Sequence, residues 1–220
     1  MSRGSPLIIA IDGPAASGKG TLARRLARRF GLAHLDTGKL YRATALAVLE
    51  AGADPSDTGA AEKAAQTLDF ARLDDPRLLR EDVARASSLV AAIPAVRAAL
   101  LAAQRSFANR PPGAARGAVL DGRDIGTVVC PDATVKLFLT ASAETRAERR
   151  AKELRERGAA AIYDTVLEGM KERDARDSER RVAPLSAAPD AVTIDTTRLD
   201  PDQVFEQASG LIARLLAARR

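Results

Sequence analysis

The chain has no tryptophan, one cysteine and one histidine in 220 residues, and aromatics make up 3% of it. A single cysteine excludes an internal disulfide and any zinc site built from clustered cysteines. Cys130 follows Val128-Val129 and precedes Pro131, the setting of a packed thiol rather than a nucleophile. His34 lies between Ala33 and Leu35 and reads as a strand position, so no Ser-His-Asp or Cys-His set is evident. With two Tyr and five Phe, no strand shows the exposed aromatic pair on which nucleic-acid bases would stack. The core must therefore be Leu, Val, Ile and Ala. No apolar run approaches the roughly 20 residues a membrane span needs. Met1 to Pro6 is too short, ahead of the first strand, to hold a leader. A soluble, cytoplasmic protein is expected.

What is present is one α/β domain's length of chain, with a net charge of +5 carried by arginine far more than lysine. A basic balance suits anionic partners, but an Arg- and Ala-rich composition accounts for much of it, so the placement of particular arginines must carry the argument. The strongest single feature is Gly13-Pro-Ala-Ala-Ser-Gly-Lys-Gly-Thr21. It follows an apolar run, Leu7 to Ile11, and precedes an amphipathic stretch, Leu22 to Phe30. Strand, glycine loop and helix is the context of a phosphate cradle, in which backbone N–H groups and the helix N-terminus face one anion. Lys19 would reach the outer phosphates and Thr21 could help hold Mg²⁺. Gly20 occupies the slot where a P-loop usually has its hydroxyl, and Thr21 comes one place late.

Short apolar runs recur at Leu32–Leu35, Gly117–Leu120, Val135–Leu139 and Ala191–Ile194, with helical stretches between them. Five such strands predict a doubly wound α/β fold, a three-layer α/β/α sandwich around a parallel sheet. Helices are expected over 19–29, 39–51, 60–68, 79–92, 94–108, 143–157, 162–181 and 201–216. Ligands bind beyond the carboxyl ends of strands in such sheets. Four strand ends here carry an aspartate: Asp12, Asp36, Asp121 and Asp195.

A cradle indicates a nucleotide, not a reaction. The second signal lies in Arg42, Arg97, Arg123 and the run Lys171-Glu-Arg-Asp-Ala-Arg-Asp-Ser-Glu-Arg-Arg181. On a helix, Arg173, Asp177 and Arg180 stand at i, i+4 and i+7 on one face without an apolar residue. Phosphoryl transfer asks for positioning and charge stabilisation, and bidentate guanidinium suits the juxtaposition of two anionic nucleotides.

Several separated motifs are similar to those of the bacterial cytidylate kinase family, a branch of the P-loop nucleoside monophosphate kinases. They are Ile11 to Thr21, Leu35-Asp-Thr-Gly-Lys-Leu-Tyr-Arg42, Asp121-Gly-Arg-Asp-Ile-Gly-Thr-Val-Val129, Lys171-Glu-Arg-Asp-Ala-Arg-Asp177 and Val182-Ala-Pro-Leu185. The resemblance spans nearly the whole chain in the right order. It implies transfer of the γ-phosphoryl group of ATP to CMP or dCMP, with Mg²⁺. It implies a core (about 5–38, 114–142 and 182–220), a nucleotide-monophosphate-binding part (about 39–113) and a lid with its flanking helices (about 143–181).

Carried over position by position, Gly13, Pro14, Ala15, Ala16, Ser17, Gly18, Lys19, Gly20 and Thr21 would bind ATP together with Arg149. Thr37, Tyr41, Arg42, Ser88, Arg97, Arg123, Asp124, Arg173, Asp177 and Arg180 would bind the acceptor. Lys19, Arg123, Arg173 and Arg180 would act on the transferring phosphoryl group. Arg146, Arg149 and Arg150 share the lid segment, and the sequence leaves open which of them points inward. A direct protein ligand for the metal is not assigned, with Thr21 the one candidate. The expected partners are ATP and CMP or dCMP, with no nucleic acid, no membrane and a monomeric chain. The rival readings are a kinase for AMP, UMP or a shikimate-like acceptor, and a nucleotide-gated RNA-binding protein. One departure stands out: many members carry a longer insert rich in short strands, whereas Phe70 to Val83 is too short for a three-stranded sheet. A reduced, mainly helical insert is expected there.

Overall fold

The computed structural model describes residues 6–217. The expectation that Met1–Pro6 holds no leader rests on residues 1–5, which lie outside that range, as do 218–220 of the expected core.

Five strands, β1 (Leu7–Asp12), β2 (Ala33–Asp36), β3 (Gly117–Gly122), β4 (Val135–Thr140) and β5 (Val192–Asp195), form one sheet in the order β2-β3-β1-β4-β5, with every pairing parallel. The helices are α1 (Lys19–Phe30), α2 (Thr37–Glu50), α3 (Thr58–Gln66), α4 (Glu81–Val90), α5 (Pro94–Asn109), α6 (Ala143–Glu156), α7 (Tyr163–Glu179) and α8 (Pro201–Ala217). The apolar run of β1 is continuous because both faces of the sheet are covered. On one face Ile9 and Ile11 pack with Leu22 and Leu26 of α1 and with Val204 and Ile212 of α8. On the other, Ala10 and Ile8 meet Ala108 and Leu101 of α5 and the Ile125–Val129 turn. This is the three-layer arrangement that the alternation of strands and helices predicts.

The helices α2 to α5 have an apolar cluster of their own, built on Leu40, Leu46, Leu78, Val83, Val96 and Leu100. They cover the stretch expected to form the nucleotide-monophosphate-binding part. Its insert contains two short 3₁₀ turns, Phe70–Asp74 and Pro76–Leu79, whose free N–H groups are taken by the Asp69 and Asp75 side chains. No residue from 58 to 109 is in a strand, so the reduced helical insert stands.

Register places the site. Asp12 pairs with Gly122 across β1 and β3, and Asp36 with Asp121 across β2 and β3. Three of the strand-end aspartates thus sit in one row at the carboxyl edge. Asp195 is on the outer strand, exposed, and receives only the Thr197 N–H and hydroxyl. One element escaped the sequence reading. Beyond Asp124 the chain makes a single π-turn, Ile125–Val129. Asp12 accepts the N–H groups of Ile125 and Gly126, both at 2.7 Å, and so anchors the turn to the end of β1.

Candidate active site

The loop after β1 is shaped by glycines with distinct duties. Gly13 has φ +144°, and a Cβ there would lie 2.0 Å from the Leu139 carbonyl oxygen, so this glycine is fixed by packing on β4. Gly18 has φ +91° in open space and turns the chain into α1. Ala16 adopts φ +57° without a glycine's freedom, a strain of order 1 kcal/mol that keeps the loop curled. Lys19 is buried, and its ammonium donates to Pro14 O at 2.6 Å. Burial, and then Arg123, push its pKa well below the ordinary lysine range, while Asp121, Asp12 and Asp36 oppose them.

A cleft of about 1030 Å³ opens in front of this loop. Its walls are the loop from Ala15 to Thr21, the β2 and β3 ends with Asp36 and Asp121, α4, α6 and α7. Arg42, Arg123 and Arg173, from three distant parts of the chain, line the same hollow as Lys19. Beneath them lies Asp177, which accepts from Arg123 Nε at 3.0 Å and faces Arg173 Nε at 3.9 Å and Arg180 Nη1 at 4.0 Å. Burial works against its charge, but Arg123, Arg173 and Arg180 hold its carboxyl below the usual range. Burial and Arg123 push the Arg173 guanidinium down to about 10.

The α7 face that has no apolar residue is therefore buried, and it packs on charge rather than on a core. The Val182–Leu185 stretch holds it down: Leu185 N–H donates to Asp177 O at 2.8 Å, and Arg180 Nε donates to Ala183 O.

A second group sits close by. Arg97 donates to Asp124, both almost fully buried, and lies 5.4 Å over the Tyr41 ring. Burial, and then Arg97, push down the pKa of Arg180, whose side chain is 4% exposed. Arg173 Nε, Asp174 Oδ1 and Arg180 Nη2 are buried polar atoms that no protein group satisfies. Groups of this kind call for a ligand or water.

Other expected residues fall differently. Gly13 and Pro14 do not line the cleft; they shape the loop from below. The Thr37 hydroxyl is committed to Asp121 O at 2.8 Å and is not on the cleft wall. Ser88 lines the cleft, and its Oγ accepts from Arg176 at 2.7 Å. Of Arg146, Arg149 and Arg150 on α6, Arg149 and Arg150 line the cleft. Arg149 is tied to Thr196 Oγ1 and Thr196 O, and Thr196 in turn donates to Ser17 O, so it braces the phosphate loop from the β5 side. Arg150 pairs with Glu81 and Glu153. Arg146 reaches Ala15 O at 3.4 Å and Asp174 at 2.6 Å.

Three more residues join the site: Asp36 and Asp121, which the sequence marks as strand-end aspartates beside the cradle, and Arg176, which it does not single out. Asp36 faces Lys19 and Arg42, with its carboxyl raised by burial and by Asp121. Asp121 Oδ1 accepts from His34 Nε2 at 2.7 Å. Arg176 lies inside the basic run, but at i+3 from Arg173 it turns toward α4 instead of Asp177. The clustering of aspartates at strand ends was the available signal for the first two; nothing local marked the third.

Around Gly20 and Thr21 the donor set is hard oxygen: Thr21 Oγ1, Asp36 and Asp121. No group of three His, Cys, Asp or Glu side chains that could hold a metal occurs among the described residues. The arrangement fits a Mg²⁺ that keeps much of its water shell and is carried by phosphates. It does not fit a fully protein-bound ion. No single described helix is long and apolar enough to cross a membrane.

A family model described as cytidylate kinase matches residues 9–214. A protein named cytidylate kinase from Rhodospirillum rubrum is 59% identical over 207 residues, covering 94% of this chain and 97% of the relative. One of the same name from Paramagnetospirillum magneticum is 60% identical over 205 residues, covering 93% and 97%. Among solved structures, a gluconokinase from Sinorhizobium meliloti superposes with a TM-score of 0.50 at 16% identity, covering 96% of this chain and 93% of that one, a likeness of fold.

Proposed function

The chain belongs to the cytidylate kinase family, and we propose that the two ends of its cleft divide between ATP and a cytidine monophosphate. It is a phosphotransferase that carries the γ-phosphoryl group of ATP to CMP or dCMP. The observation that supports this division is the convergence of Arg42, Arg123 and Arg173 opposite Lys19, with unsatisfied buried nitrogens on Arg173 and Arg180. A second anion is what those groups lack.

The curled loop from Ala15 to Thr21 and the N-terminus of α1 would receive the β- and γ-phosphates of ATP. Lys19, released from Pro14 O, would turn its ammonium to them. Arg149 keeps the β5–α8 turn against the loop. A Mg²⁺ ion would be held through the phosphates and Thr21, and when bound it supplies neutralising charge. At the other end Asp177, Arg173 and Arg180 would hold the acceptor's sugar and phosphate, and Arg42 its phosphate. Asp124, Arg97, Tyr41 and Ser88 would meet the base.

The acceptor's phosphate oxygen is already ionised at neutral pH, so attack on the γ-phosphorus needs no general base. One P–O bond to the acceptor forms as the bond to the β-phosphate oxygen breaks, leaving ADP and a cytidine diphosphate. Arg123 and Arg173, between the two seats, would balance the charge of the loose transition state. Working alone in the cytoplasm, without nucleic acid, is the setting that accompanies this reading.

A coupled ADP-release assay with CMP, dCMP, UMP, AMP, a shikimate-like alcohol and single-stranded RNA tests it. Turnover with CMP and dCMP is expected to exceed that with UMP by about tenfold or more, given 1–3 kcal/mol per base-edge contact. Equal turnover with AMP, or ADP release driven by RNA, would overturn the reading.

A further inference from the structure

Ser88 is 3% exposed, lies on the cleft wall, and has one side-chain partner among the described residues, Arg176 Nη1 at 2.7 Å. A guanidinium carries only donors. The Ser88 oxygen must therefore accept, and the single hydroxyl proton is left to point elsewhere. Its neighbour Ser87 spends its proton on the Ala84 carbonyl at 2.8 Å, the usual fate of a helical serine. Ser88 does not.

One turn on, the Ala91 carbonyl accepts from Arg97 Nη1 at 3.2 Å, and the other arm of Arg97 holds Asp124. Through Arg97, the carboxylate of Asp124 is tied to the carbonyl that ends the Ser88 helix, so a donor and an acceptor are held from the same stretch of chain.

We propose that Arg176 is a positioning residue for base choice: it forces Ser88 to act as a donor. Cytosine presents an exocyclic amine, a donor, next to N3, an acceptor. Uracil presents a carbonyl oxygen next to N3–H, the reverse pattern. Asp124 with a donor-locked Ser88 matches cytosine at both places and opposes uracil at both. Without Arg176 the Ser88 hydroxyl is free to rotate, accept from N3–H and tolerate uracil. Arg176 touches no base in this scheme, and its helix, α7, carries it to α4 from outside the group around Asp177. The inference rests on the proposed seating of the base between Ser88 and Asp124.

The test is the ratio of kcat/KM for CMP over UMP in Arg176→Met, Arg176→Lys, Ser88→Ala and Asp124→Asn, with melting temperatures recorded for each. Arg176→Met is expected to lower the ratio about tenfold, the scale of one buried hydrogen bond. Arg176→Lys, still an obligate donor, should keep most of it. Placed on Ser88→Ala, Arg176→Met should move the ratio by less than about twofold, since nothing is left to orient.

Equal losses for CMP and UMP in Arg176→Met would mean the pair only ties α7 to α4, and overturn the proposal. So would a full tenfold shift on the Ser88→Ala background. If Asp124→Asn moves the ratio while Ser88→Ala and Arg176→Met do not, the base seating survives and this inference fails. If none of the three moves it, the seating itself fails. Should Arg176→Met melt too low to assay, Arg176→Gln offers its carbonyl as readily as its amide, and an unchanged ratio in it is equally fatal.

Discussion

The two ends of the cleft are built on opposite plans. On the proposed division, the donor end is one continuous loop that offers its backbone N–H groups and Lys19, with Thr21 and Arg149 beside it. The acceptor end is assembled from side chains on α2, α4, α5, α7 and the end of β3, more than 130 residues apart in sequence. The donor end holds one buried charge tucked against its own loop. The proposed acceptor end is a lattice of arginines balanced by Asp124 and Asp177, with Arg173 Nε and Arg180 Nη2 left unsatisfied. A backbone site is rigid and sequence-poor. A side-chain lattice selects its ligand but depends on each counter-charge.

The sharpest way to break this contrast is to remove the lysine of the donor end. Lys19→Ala is expected to reduce kcat on the order of 10³-fold, as when a single donor to a developing charge is lost. The KM for CMP should stay within about threefold, because no acceptor-side group loses a partner. A parallel rise in that KM, measured with saturating ATP, would mean the two ends are not separate.

Removing a counter-charge should do the reverse. Asp177→Ala leaves Arg123, Arg173 and Arg180 facing one another. The KM for CMP and dCMP should rise roughly 10–100-fold while that for ATP barely changes, the scale of lost hydrogen bonds to charged groups. Stability should fall by about 3 kcal/mol, since breaking a buried ion pair leaves uncompensated charge. Added CMP should restore more melting temperature to the variant than to the parent chain. Equal KM changes for donor and acceptor would reduce Asp177 to a helix-positioning residue.

This difference in plan also explains what could be read in advance. The donor loop was legible because its parts are contiguous and its geometry needs particular residue types at fixed spacing. The five strands were legible because a buried parallel sheet demands continuous apolar runs, and the reduced insert because fourteen residues cannot make three strands. The face of Arg173, Asp177 and Arg180 was legible as helical periodicity, though its burial was not, since a charged face ordinarily means solvent. The Arg176–Ser88 and Arg149–Thr196 contacts were not legible at all. Each joins residues 88 and 47 apart that have no local pattern in common. The π-turn after Asp124 escaped because its cause, the Asp12 carboxylate, lies 113 residues upstream.

Asp12 belongs to both ends: it closes β1 below the phosphate loop and anchors the turn that presents Asp124. Burial raises its pKa from 3.8 to about 6, against the two N–H groups that favour its charge. A carboxyl raised on folding contributes stability that is complete below about pH 4 and is lost as pH climbs through about 6. Asp177, held below the ordinary range, has the opposite sign: its contribution is present above about pH 4 and fades as pH falls further. Urea unfolding from about pH 2.5 to 7.5 separates them, Asp12 between about pH 4 and 6 and Asp177 below about pH 4. Asp12→Asn should cost more stability at the acid end than at the neutral end, by on the order of 1–2 kcal/mol. Asp177→Asn should show the reverse slope. Two slopes of the same sign would mean that Asp12 is charged and well solvated in the fold, and that the turn presenting Asp124 is not held by a buried carboxyl.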